Sequence, residues 1–291
     1  MAAEQTLMDY VNPHEAVNGA REAALRKASL PIAQMLLRGA LAGAFLGYAT
    51  SLALQIVSQG SPPILGAICF PVGFVMLVLL GLELATGNFA LLPIGYATGE
   101  IPGRALWRNW GWVYLGNLIG SVAYAVLFYL AITNVGTSAG GALGDQVRRA
   151  AQTKTLAYMA LGARGWATAL IKGILCNWMV TVGVMLALVS RSTIGKIVAM
   201  WLPITTFFAQ GYEHSIVNMF VVPAGMLLGA PVSLTNWWLW NQLPVTIGNV
   251  IAGALLTGVA FFVAYPEKAT MAEATREPAA RFGAGARVEP A

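Results

Sequence analysis

Gly211-Tyr212-Glu213-His214-Ser215-Ile216-Val217-Asn218-Met219-Phe220 sets an acid and a histidine side by side inside an apolar run that extends over residues 197–230. Ionisable groups at membrane depth are costly, so they face a protein-lined cavity or a substrate path rather than lipid. The stretch reads as the interrupted middle of a membrane-embedded segment that lines a pore. The competing reading is a buried, hydrogen-bonded Glu–His pair that holds helices together.

The whole chain supports a membrane setting. Of its 291 residues 57% are hydrophobic and 10% charged, where soluble domains carry about 25% charged residues. The net charge of +5 comes from Lys and Arg near the ends of apolar stretches. No basic stripe interleaved with aromatics is present, so a nucleic-acid partner is not expected. Met1 to Asp9 is polar and acidic, unlike the basic start of a secretory signal. Cys69 and Cys176 have no Cys or His at ligand spacing, which supports neither a disulfide framework nor a zinc site. With His14 and His214 as the only histidines, no metal or cofactor constellation is available, and a membrane enzyme fits poorly.

Six apolar stretches follow one another at 31–57, 64–98, 111–133, 165–189, 197–230 and 237–265. A simple span needs about 20 residues. The second and fifth are too long for one straight helix, and each carries glycine, proline and charge near its middle. Each is expected to form two half-helices around a non-helical loop, which membrane depth tolerates only where the loop lines a cavity. Glu83, Asn88 and Pro93 recur 130 residues later as Glu213, Asn218 and Pro223. Asn109, Gly116 and Asn117 recur at an offset of 132 as Asn241, Gly248 and Asn249, and Arg38-Gly39 recurs at 134 as Lys172-Gly173. An all-α membrane protein with an inverted three-plus-three repeat follows, because an odd number of spans per half turns the second half over.

The expected organisation is an interfacial N-terminal region over 1–30, a six-span transport domain over 31–266 and a disordered cytoplasmic tail over 267–291. In the first of these, Asn12-Pro13-His14-Glu15 signals a helix start and predicts a helix to about Lys27. Arg104, Arg108, Arg191 and Lys196 fall on the inside if both termini are cytoplasmic, as the positive-inside rule requires. Arg148, Arg149 and Lys154 break that rule on the outer side, as an anion-collecting patch or as a solvated loop balanced by Asp145. Trp107, Trp110, Trp112, Trp237, Trp238 and Trp240 read as interfacial anchors.

Glu83-Leu84-Ala85-Thr86-Gly87-Asn88, Gly173-Ile174-Leu175-Cys176-Asn177-Trp178 and Glu213 through Phe220, in this order and with Asn109-Trp110, Gly116-Asn117, Asn241 and Gly248-Asn249, resemble the formate–nitrite transporter family over residues 15–266. The resemblance implies an aquaporin-like protomer with its own pore, five protomers in a ring, and passage of formate or nitrite across a bacterial-type inner membrane. Proton-linked transport with channel-like behaviour is the expectation. Hydrosulfide is an alternative cargo within the family, and an aquaporin-like pore for water or neutral solutes is an alternative outside it.

The resemblance places His214 and Thr86 at the pore centre. His214 titrates near neutrality and can act as donor or proton shuttle to a weak-acid anion, while Thr86 offers a hydroxyl. Their bland alternatives are a core histidine and a threonine bonded to its own helix. Glu83 and Glu213 are expected to accept loop N–H groups, and Asn88 and Asn218 to satisfy loop backbone, with a place on the substrate pore and contact to the permeant anion as the alternative for Glu213, Asn88 and Asn218. Phe70, Phe74, Phe207, Val180 and Leu84 match the apolar constrictions, with Phe74 bulkier than the leucine frequent in the family. The matching vestibule lysine would fall at Leu161. Lys154, seven residues earlier, is the nearest candidate, with Arg164 on the other side, and Lys172 is expected at a helix end or interface.

Overall fold

A computed structural model of the chain describes residues 9–266. The expectation of a disordered tail over 267–291 and the reading of residues 1–8 lie outside the described residues. Helix α1, Pro13–Ala28, begins where Asn12 Oδ1 accepts the Glu15 backbone N–H at 3.1 Å, with Pro13 at the first helical position. The chain continues through α2, Ile32–Ser58; α3, Pro63–Cys69; α4, Pro71–Leu79; α5, Ala85–Ala97; and α6, Gly103–Ile132. After α7, Gly141–Lys154, and the short α8, Leu156–Ala160, come α9, Ala163–Val189; α10, Thr193–Ala209; α11, Ser215–Leu227; and α12, Leu234–Ala264. Wide π turns occupy Trp238–Gln242 and Ala252–Val259 within α12.

Among the described residues there is no strand, only an isolated bridge between Tyr10 and Ser190. Helices α2, α6, α9 and α12 are long and apolar enough to cross a membrane. They coincide with the first, third, fourth and sixth apolar stretches. The second stretch resolves into α3, α4 and α5, and the fifth into α10 and α11. The division between α3 and α4 falls at Pro71, whose missing N–H cannot continue the helical ladder.

Two helix pairs form the frame, and small residues let them approach. On α6, a Cβ at Gly120 would lie 1.8 Å from Ala40 O of α2, and one at Gly116 would lie 2.7 Å from Leu36 O. On α12, a Cβ at Gly248 would lie 2.3 Å from Leu170 O of α9. In an apolar medium no hydrophobic force drives helices together, so such close backbone packing supplies the attraction. Large apolar side chains such as Leu37, Ile119, Leu127, Leu202 and Val263 remain exposed on the outside. The Ala16, Val17, Ala20 and Ala24 side of α1 is buried, and α1 packs on α5 and α9.

Some interfacial expectations are corrected here. Trp110 is buried and donates its indole N–H to Asn88 O, and Trp237 is buried and donates to Gln242 Oε1. Both serve the interior because each indole N–H has a buried acceptor within reach. Arg148, Arg149 and Lys154 lie on a helix, α7, instead of a loop. There Arg148 pairs with Asp145, and Arg149 donates to Gln146.

Candidate functional site

The site is built where α4 and α10 stop. Both end on a glycine in the left-handed region, Gly81 at φ +64° and Gly211 at φ +66°. In each case the last carbonyls are satisfied by a backward pair of N–H bonds. Gly81 and Leu82 donate to Val78 O and Leu77 O, and Gly211 and Tyr212 donate to Phe208 O and Phe207 O. The chain then extends through Leu84 (φ −115°, ψ 119°) and His214 (φ −109°, ψ 118°) before α5 and α11 begin. These two residues hold almost the same backbone shape 130 positions apart.

Each loop has one asparagine that satisfies its backbone. Asn117 Oδ1 accepts Ala85 N–H at 2.9 Å, and its Nδ2 donates to Gly39 O at 2.8 Å and Glu83 O at 2.9 Å. Asn249 does the same for Ser215 N–H at 2.9 Å, Gly173 O at 2.8 Å and Glu213 O at 3.2 Å. This corrects the expectation that Glu83, Glu213, Asn88 and Asn218 tend the loop backbone. A loop offers both N–H and C=O groups, which suits a neutral amide carrying a donor and an acceptor.

The two buried carboxylates take cations instead. Glu83 accepts Lys27 Nζ and Asn88 Nδ2, both at 2.8 Å. Glu213 accepts Lys154 Nζ at 2.8 Å, Tyr158 OH at 2.8 Å and Asn218 Nδ2 at 2.9 Å. A full charge removed from water needs a counter-charge and further hydrogen bonds, which an N–H alone cannot supply. Lys154 thus reaches Glu213 from the C-terminal end of α7, although its sequence position is out of register. Lys172 lies within α9, not at a helix end, with its ammonium 5.8 Å from the Tyr158 ring centroid.

Thr86 and His214 come from different loops and meet: Thr86 Oγ1 lies 3.1 Å from His214 Nε2, with both residues buried. His214 Nδ1 accepts the Val217 backbone N–H at 3.2 Å. An amide can only donate, so Nδ1 is the acceptor and the neutral ring carries its proton on Nε2, towards Thr86. The Phe207 ring stacks over His214 at 5.9 Å, and Phe70 meets Phe207 edge-on at 5.8 Å. Phe74 and Leu84 line a cavity of about 180 Å³ together with Lys27 and Asn88. Val180 is fully buried in the apolar core shared by all these rings.

Several functional-looking residues escaped the sequence reading. Lys27 stood out in sequence only as the end of the first helix, yet it is the partner of Glu83. Tyr158 was not singled out. Asn177 donates to Thr86 O at 3.2 Å and Asn249 O at 2.6 Å, tying the start of α5 to α12. The repeat held a signal for Lys27: two equivalent buried acids each require a cation, and Lys27 and Lys154 stand at an offset of 127.

The model of the formate/nitrite transporter family matches residues 14–263. The chain belongs to the formate/nitrite transporter family. A probable formate transporter of Methanothermobacter thermautotrophicus is 32% identical, with 88% of this chain and 97% of the relative covered. An uncharacterized transporter of Bacillus subtilis (strain 168) is 35% identical over 90% of this chain and 96% of its own length. A solved pentameric formate channel with formate bound superposes with a TM-score of 0.67 at 27% identity, covering 81% of this chain and 98% of that one. As a formate/nitrite transporter family member with long apolar helices, the protein is an integral membrane protein.

Proposed function

We propose that the protein conducts small monovalent weak-acid anions, formate or nitrite, through a pore in each protomer of a homopentamer. The observation that carries this reading is the contact between Thr86 Oγ1 and His214 Nε2, two polar groups from separate loops that face each other among aromatic rings. The pentameric assembly and the formate cargo are those of the structural relative. Six spans in an inverted three-plus-three arrangement accompany the reading, with the second and fifth interrupted and both termini on the cytoplasmic side of an inner membrane. The matching stops at Gly81 and Gly211 and the paired roles of Asn117 and Asn249 support that symmetry.

In the proposed mechanism the anion enters a vestibule on either side, where Lys27 and Lys154, each already paired with a carboxylate, offer it N–H donors rather than net charge. It then displaces the Thr86–His214 contact and takes both donors. Phe70 and Phe207 beyond one side, and Phe74 and Leu84 beyond the other, strip hydration from whatever passes. A bare anion loses far more there than a neutral acid does, so passage as the protonated acid is favoured. The proton on Nε2 cannot simply be given away, since the ring would become imidazolate while Nδ1 holds the Val217 N–H. His214 therefore polarises and orients the anion, and the proton for linked transport arrives through water. Asn88 and Asn218 orient Glu83 and Glu213 and have no direct part in binding.

The test is stopped-flow uptake of formate and nitrite into proteoliposomes from pH 5 to 8, for wild type and His214→Asn. Saturable uptake that rises with acidity and is lost in the variant is the expected result. Equal uptake by the two proteins overturns the role of His214. Water or neutral-solute flux without anion uptake overturns the cargo.

A further inference from the structure

The proposed constriction contains a helix junction that is held from one side only. Phe70 sits between α3 and α4, and Pro71 supplies no N–H to continue the ladder. Across the junction Phe70 N–H reaches Gly66 O at 3.0 Å, and Gly73 N–H reaches Phe70 O at a stretched 3.4 Å. Next to the Ala67 carbonyl, which loses its α-helical donor at Pro71, the Ile68 carbonyl accepts the Trp201 indole N–H from α10 at 2.8 Å. Seven residues further along α10, two turns away on the same face, Phe208 stacks on the Phe70 ring at 3.9 Å and 18°. The neighbouring Phe207 meets Phe70 edge-on and lies over His214.

The two flanks of the junction are fixed independently. A Cβ on Gly66 would lie 2.8 Å from Ala53 O, and one on Gly73 would lie 2.6 Å from Phe45 O, both carbonyls belonging to α2. Movement at the junction is therefore confined to about the turn that carries Phe70. The second half of the chain offers a contrast, because Pro203 lies inside an unbroken α10. A proline two residues beyond the equivalent of Pro71 thus leaves its helix undivided.

We propose that Trp201 is the positioning residue of this constriction: its N–H holds the Pro71 junction so that Phe70 stays seated on Phe207 and Phe208, over the Thr86–His214 centre. The inference rests on the pore reading above, and it adds a control point outside the pore lining. Removing only the indole N–H frees the Ile68 carbonyl and lets the junction sample positions with the Phe70 ring withdrawn.

Trp201→Phe keeps an aromatic ring and deletes the donor. Formate uptake into proteoliposomes is expected to rise about three- to tenfold, the population shift that loss of one neutral hydrogen bond produces. Deuterium uptake at the backbone amides of Cys69, Phe70, Val72 and Gly73 is expected to accelerate, with the rest of the bundle unchanged. In a Phe70→Ala background, Trp201→Phe is expected to add nothing further to flux, because the ring through which it acts is gone. Unchanged exchange at these junction amides in Trp201→Phe overturns the hold on the junction, whatever the flux does. Faster exchange with unchanged formate flux overturns the control of the pore. An additive gain over Phe70→Ala shows that Trp201 acts elsewhere, and likewise overturns it. Absence of anion flux in the wild type is the separate failure of the pore reading itself.

Discussion

Lys154→Met tests whether the buried acid at the second loop depends on its cation. Glu213 has a side-chain exposure of 4%, and its partner Lys154 one of 21%. The substitution keeps side-chain length and removes the charge, leaving the carboxylate with Tyr158 and Asn218 as its short-range neutral donors. Breaking one side of a buried pair costs about 3–5 kcal/mol, because the remaining charge stays buried without compensation. For a chain of this size each kcal/mol moves a melting temperature by about 2–4 °C, so the expected drop is about 6–20 °C. Thermal unfolding in detergent, followed by intrinsic tryptophan fluorescence, measures it. The double variant Lys154→Met/Glu213→Gln removes both charges and is expected to return to within about 1 kcal/mol of wild type. A single variant that melts within about 2 °C of wild type, or a double variant no better than the single, would refute the reasoning. Both results would mean that the carboxylate is stabilised chiefly by Tyr158 and Asn218.

Two further outcomes can be read from the structure. Arg21 holds Glu100 by a bidentate contact, with Nη2 2.8 Å from Oε1, and the guanidinium lowers the carboxyl from its ordinary 4.5 to about 2. A depressed pKa means that this contribution is complete above about pH 4.5 and fades as pH falls towards 2. Glu100→Gln should therefore show a melting deficit that is constant between pH 5 and 8 and shrinks at lower pH, with an unaltered pH profile of anion uptake. A deficit that varies between pH 5 and 8 would contradict this linkage. Gly120→Ala forces a Cβ to within 1.8 Å of Ala40 O, so α2 and α6 must separate. Overpacking of this kind costs about 1–3 kcal/mol or more, and the expected result is a lowered melting temperature, whereas an unchanged one would show that the pair has room to move.

Much of the architecture was legible in the chain because a membrane restricts the choices. With backbone groups needing internal partners, an apolar run of sufficient length must be helical. Hence the apolar stretches that hold the four long helices, and an interruption within the second and fifth, could be read from composition and from the glycine, proline and charge near the middle of those two. The internal offsets near 130 likewise pointed to both loops before any contact was known, and they put Glu83 with Glu213 and Asn88 with Asn218 in equivalent places.

Partner choice was another matter, for it depends on which groups arrive together in three dimensions. The chain announced that Glu83 and Glu213 were buried acids, but only tertiary structure paired them with Lys27 and Lys154, which lie 56 and 59 residues away. It also gave the loop backbones to Asn117 and Asn249, because these amides alone reach the N–H at one helix start and the carbonyls beside it. Trp110, Trp201 and Trp237 all looked the same in sequence, as aromatic residues in or beside apolar runs. The indole N–H groups of Trp110 and Trp237 found Asn88 O and Gln242 Oε1 in an interior that offers no water to take their place, and that of Trp201 found Ile68 O at its edge. Sequence alone determined where the long apolar helices run and that the second and fifth stretches are interrupted, since those follow from local backbone chemistry and length, whereas the break at Pro71 and helix α7 came only with the structure. The assignment of each buried charge, amide and indole to its partner was decided only when the two halves packed against each other.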